Sequence, residues 1–150
     1  MVTPARDRPG IAAFRTLLRA HREVIEAHKR TVPELSGLSL VEFDILATLG
    51  NQEGMRMGEI ARVALVSPAN VTWVASALER RGLLRRRRSP ESDRVVLASL
   101  TRKGQALFER TFEPVVAYTE SLFEGLSVNE QRELARLLSR VVATQPGPSD

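Results

Sequence analysis

Ser67-Pro68 makes a new helix begin only about three residues after the previous one ends. Ser67 can accept from the free amides of a first helical turn, and Pro68 tolerates the first helical position, where its missing N–H is not needed. Upstream, Met57 to Leu65 predicts a short helix whose apolar face, Ile60, Ala61 and Ala64, is small enough for another helix to approach closely. Downstream, Val71, Val74, Ala75 and Leu78 recur at helical spacing, and Gly82 closes the helix. Two helices joined this tightly, followed by two strands, predict a winged helix-turn-helix. The strands are Leu83 to Arg88 and Val95 to Leu100, joined by the turn formers Ser89-Pro90-Glu91-Ser92-Asp93.

The second helix turns Ala69, Trp73, Ser76 and Arg80 away from its apolar stripe, flanked by Asn70, Thr72 and Ala77. That face carries no acid, as a helix entering a polyanionic groove requires. Charge is concentrated nearby. Residues 56 to 103 hold eleven basic and four acidic residues, a local excess of +7 in a chain of net charge +4. Such a patch favours phosphate contact, because neutralised phosphates release condensed counterions. The helix would lie in the major groove while the hairpin runs along the backbone, with Arg94 at the tip reaching the minor groove. A winged helix can instead dock protein, with Trp73 as the anchor, but the clustered charge argues for nucleic acid. No Walker-type loop, H-E-x-x-H, G-x-S-x-G or cysteine points to an enzyme.

The flanking segments read as helices. Ile11, Phe14, Leu18, His21, Ile25, His28 and Val32 form a heptad-like seam suited to packing along another helix, which Pro33 to Gly37 ends. His21 and His28 are seven apart, a poor spacing for a two-histidine metal site, so no metal or cofactor is expected. Ser39-Leu40-Val41-Glu42 and Ser127-Val128-Asn129-Glu130 have the form of reciprocal capping boxes. The first opens a helix with Val41, Ile45, Leu46 and Leu49 inward, closed by Gly50-Asn51 with Gly54. The second opens a last helix with Leu134, Leu137, Leu138, Val141 and Val142 inward. Between them, Thr101 caps a long helix running past Leu122 and Phe123, with a kink expected near Thr111 to Pro114. Without cysteine, disulfides and thiol-based sensing are excluded within this chain, and no apolar run is long enough for a membrane span, so the expected address is cytoplasmic.

In order and spacing the chain resembles the MarR-type (multiple antibiotic resistance) regulators over about residues 38 to 140. The matching residues are Leu38-Ser39, Phe43, Leu46, Met57, Glu59-Ile60-Ala61, Val66-Ser67-Pro68, Val71-Thr72 and Leu78-Glu79-Arg80-Arg81-Gly82-Leu83. They continue with Arg86, Ser89-Pro90-Glu91, Leu97, Leu100-Thr101 and Lys103-Gly104. The resemblance implies a mainly α fold with a small β-hairpin wing, in one domain over 1–150. A winged helix-turn-helix lobe (38–101) would sit between dimerisation helices (11–32 and 102–143), with loose tails at 1–9 and 144–150. It implies a homodimeric transcriptional regulator, a ligand-responsive repressor on palindromic double-stranded DNA. Ser67, Pro68, Ala69, Asn70, Thr72 and Trp73 fall where such proteins touch the major groove and its phosphates, and Arg94 matches the wing-tip arginine. Ser76 and Arg80 on the same helix, and Arg86, Arg87, Arg88 and Ser89 on the hairpin, complete the expected DNA contacts. Trp73 could meet a thymine methyl or pack under the wing. Ser92 replaces the aspartate of the family's usual Asp-x-Arg wing. A small phenolic or anionic effector is implied between the dimerisation helices and the DNA-binding lobe, with Arg15, Arg19, His21 and His28 as candidates to face it.

Overall fold

The computed structural model describes residues 8–145, apart from the side chain of Asp93. The described chain divides into two compact units between Val115 and Val116. In the first, α1 (Pro9–Ser36), α2 (Leu40–Leu49), α3 (Met57–Val63) and α4 (Pro68–Arg80) surround the core. A three-stranded antiparallel sheet of β1 (Met55–Arg56), β2 (Leu84–Ser89) and β3 (Ser92–Leu100) follows the order β1-β3-β2. α5 (Arg102–Ser121) leads into the second unit, which holds α6 (Val128–Ala143). Among the described residues, no helix is long and apolar enough to cross a membrane. Of the expected tails, residues 1–7 and 146–150 lie outside the described residues, whereas Pro9 already opens α1.

α1 runs through Pro33 to Ser36 instead of ending at the proline. In the last turn a proline forfeits little more than its own bond, here to the Lys29 carbonyl. Gly37, at φ 70, then returns its N–H to Pro33 O. The apolar seam is buried only at its C-terminal end, by His28 and Val32; Ile11, Phe14 and Leu18 remain exposed.

Both capping boxes form as expected, Ser39 with Glu42 and Ser127 with Glu130. α2 is apolar on almost every side, so Phe43 joins Ile45, Leu46 and Leu49 in the core. Gly50 and Asn51 close it as expected, with Asn51 (φ 61) taking the left-handed conformation and Gly50 not. Gly50 is needed for space: a Cβ there would overlap the Phe108 ring. α3 stops at Val63, two residues short of the expected end, since Leu65 turns left-handed (φ 54) and is 92% exposed. Val66 N donates to Ala61 O at 2.9 Å, closing that turn.

Ser67 caps α4 by accepting from Asn70 N at 3.3 Å, and Val71, Val74, Ala75 and Leu78 are buried below. Gly82 (φ 69) ends the helix, with Leu83 N reaching back to Leu78 O at 3.0 Å. β1 has no counterpart among the sequence expectations, because two residues carry no periodicity; it pairs Met55 with Ala98 and Arg56 with Leu97. Thr101 fixes the start of α5, accepting from Gly104 N at 3.0 Å and donating to Gly82 O at 2.6 Å. Gly104 lies so close to β2 that a Cβ would strike the Leu83 carbonyl.

α5 continues through Pro114 to Ser121 but does not include Leu122 and Phe123. There the chain tightens into short-range bonds, Leu122 N to Thr119 O and Phe123 N to Glu120 O. Gln131 Nε2 donates to the carbonyls of Phe123 (3.1 Å) and Leu126 (3.0 Å), fastening this turn to α6. No residue of α6 is buried, although Leu137, Val141 and Val142 share it.

Candidate nucleic-acid interface

The core stripe of α4 directs Ala69, Trp73, Ser76 and Arg80 outward. Ser67, Pro68, Ala69, Asn70, Thr72, Trp73 and Arg80 are all exposed there. Trp73 is 68% exposed, so it does not pack under the wing. The hydroxyls turn inward: Thr72 Oγ1 donates to Pro68 O at 3.2 Å and Ser76 Oγ to Thr72 O at 2.9 Å.

The arginine run does not form one patch. Alternation along β2 places Arg86 and Arg88 on one side and Arg85 and Arg87 on the other. Arg85 Nε donates to Ser99 Oγ, its cross-strand neighbour, at 3.2 Å. Arg86, one of the expected DNA contacts, turns its Nε and Nη2 to partners within the protein. Its Nη2 and Nε donate to Glu79 Oε2 at 2.6 and 3.0 Å, Nη2 also reaches Ser76 Oγ at 3.1 Å, and its backbone N donates to Glu79 Oε1 at 3.1 Å. A carboxylate and a hydroxyl of α4 thus hold the middle of β2. The Arg86 hydrogen bonds keep Glu79 below the usual carboxylate range. Ser76, expected to face DNA, is committed to this latch, and Ser89 is buried with its Oγ accepting from Glu91 N at 3.2 Å.

The wing tip is shorter than the predicted five-residue connection. Ser89 pairs with Ser92 across Pro90-Glu91, while Arg88 pairs with Val96, so residues 93–95 form an irregularity in β3. Arg94 stands exposed on that bulge, its N–H donating to Ser92 Oγ at 3.4 Å. Among the described residues, Arg80, Arg87, Arg88 and Arg94 have no ion-pair partner. Sequence reasoning missed Glu79 and Arg81. Arg81 donates to Glu42 Oε1 (3.2 Å) and to Gly37 O (3.1 Å), tying the end of α4 to the start of α2. The signal was the absence of any other acid on α4.

The four effector candidates do not converge. Arg15 and Arg19 lie in an open depression along α1 with Ala12, Thr16, Leu18 and Arg22. His21 is exposed, and His28 lies about 20 Å along the axis from Arg15, buried with Nδ1 2.9 Å from Val24 O. Near His28, burial pushes the Asp44 carboxyl above its usual range, against the opposing charge of His28. A carboxyl raised in the folded state favours folding when protonated, so its cost is fully present above the folded pKa and vanishes below the unfolded one. Asp44→Asn should therefore raise the Tm by a few degrees at pH 7, and this advantage should shrink as pH falls through the carboxylate range. Thermal melts of both proteins from pH 7 to pH 4 check this, and an advantage that grows toward acid would contradict it.

The MarR family model matches residues 38–96. The chain is 32% identical to the HTH-type transcriptional regulator YkoM of Bacillus subtilis, over 85% of this chain and 82% of that protein. It is 35% identical to the HTH-type transcriptional repressor Mb2911 of Mycobacterium bovis, over 70% of this chain and 76% of that protein. Among solved structures, BpsR of Bordetella bronchiseptica, whose DNA binding is regulated by 6-hydroxynicotinic acid, superposes with a TM-score of 0.77 at 27% identity. That match covers 87% of this chain and 98% of BpsR.

Proposed function

The chain belongs to the MarR family, and from that premise we propose that it is a repressor that reads a palindromic operator as a homodimer, with α4 in the major groove and Arg94 at the adjacent backbone or minor groove. It is a DNA-binding transcriptional regulator and not an enzyme. The observation that carries the reading is the acid-free outward face of α4 beside wing arginines that have no ion-pair partner among the described residues. The N-terminal part of α1, with Ile11, Phe14 and Leu18 exposed, and α6, with Leu137, Val141 and Val142 exposed, supply apolar surface for a second copy. In this reading residues 11–32 and 102–143 serve dimerisation and 38–101 DNA binding. The 27% identity to BpsR supports a small aromatic acid as effector, with Arg15 and Arg19, both exposed along α1, as its candidate cation partners. A regulator acting on operator DNA works where the DNA is, in the cytoplasm.

Fluorescence anisotropy tests this with a duplex selected by the protein and a scrambled duplex, each at two salt concentrations. Tight binding to the selected duplex that weakens steeply with salt is expected. Failure to bind either duplex at low salt would overturn the reading.

A further inference from the structure

We propose that Trp73 is the specificity-determining residue of the interface, reading the 5-methyl group of a thymine in each half-site. The inference rests on α4 being the groove-facing helix. Trp73 lies opposite the buried stripe of Val71, Val74, Ala75 and Leu78 and is 68% exposed. Its neighbours one turn away are Ala69, Asn70, Ser76 and Ala77, all much shorter than an indole. Ser76 is also drawn back, bonded to Thr72 O and to Arg86. The ring therefore stands clear of its surroundings and would meet the base edges first.

Major-groove chemistry then decides what it can read. The floor of that groove offers hydrogen-bonding groups everywhere except the thymine methyl, its apolar feature. Indole provides apolar area and one N–H donor but no acceptor, so against adenine or cytosine it would strand their amino groups unpaired. Guanine presents two acceptors and no apolar group, so a single N–H satisfies it only in part, whereas against thymine the indole covers the methyl and leaves no donor stranded. Asn70, exposed three residues earlier and about 4.5 Å along the axis, sits roughly one base-pair step away. Its amide can pair in bidentate fashion with adenine, so the two side chains favour neighbouring A·T pairs.

The test uses a duplex recovered by the wild-type protein from a random pool of about 20 base pairs, long enough for two half-sites one turn apart. Each thymine is then replaced in turn by deoxyuridine, which removes the methyl and nothing else. One thymine per half-site should lower wild-type affinity about fivefold to tenfold when replaced, within the range of one base contact. Trp73→Ala should bind the unmodified duplex more weakly, be indifferent to deoxyuridine at that position, and keep the wild-type salt dependence and Tm. A flat scan with the wild type, or an equal loss in both proteins, overturns the assignment. If no duplex is recovered and none binds at low salt, it is the DNA-binding reading itself that fails.

Discussion

Replacing Arg88 and Arg94 together by alanine should lower affinity for the operator about a hundredfold at low salt and flatten its salt dependence. Each phosphate contact adds about 0.9 to the slope of log K against log salt, so losing two arginines from each subunit of a homodimer should reduce the slope by about 3 to 4. Both side chains are exposed and without an ion-pair partner among the described residues, so the fold should be unaffected and the Tm unchanged. Glu79→Gln with Arg86→Gln is the informative contrast. That pair removes a guanidinium and a carboxylate together, leaving net charge as it was. It should weaken binding and lower the Tm while the salt slope stays at the wild-type value, because Arg86 turns Nε and Nη2 to Glu79 and Ser76. Titrations by anisotropy at four salt concentrations separate the two cases. A slope lowered as far by the glutamine pair as by the alanine pair would return Arg86 to the phosphate contacts.

Gly104→Ala should cost about 3 kcal/mol or more, the upper end for adding one carbon to a filled space. The new Cβ would strike the Leu83 carbonyl, which belongs to backbone and cannot rotate aside as a side chain could. Leu83 O also accepts from Thr101 N at 3.0 Å, so moving the carbonyl would break the seam that joins the sheet to α5. For a domain of this length the loss corresponds to a Tm lower by about 10 °C. Gly58→Ala is the control. Nothing lies within 4 Å of its Cβ position and it sits within α3, so alanine there should be neutral or stabilising by up to about 1 kcal/mol. A Gly104→Ala protein melting within about 3 °C of wild type would show that α5 can slide off β2 at little cost.

What could be read from the chain beforehand was what is chemically local. The Ser39 and Ser127 capping boxes, the Ser67-Pro68 start and the Gly82 stop each involve partners within a few residues, so spacing determines them. β1 could not be read this way, because Met55 and Arg56 are strand residues only by virtue of Ala98 and Leu97 more than forty positions later. In the candidate interface, the outward face of α4 followed from helical period. The fate of Arg86 did not. The family pattern marks Arg86 among the four arginines but not what it does, and only the packing of β2 on α4 shows that it meets Glu79. Leu65 was equally hidden: nothing in its side chain marks it for the left-handed conformation it takes, whereas Asn51 is of a residue type that adopts it readily.

The latch also has a mechanical side. A hairpin held only at its root, Leu84, would project about 17 Å to Ser89, and every angular fluctuation at the root would be magnified over that length. Fastening β2 at Arg86 moves the fulcrum outward and leaves a free lever of about 10 Å. The same torque then sweeps the tip through a much smaller arc, so the wing behaves as a stiff outrigger of α4, and in the proposed complex the two would leave the duplex together.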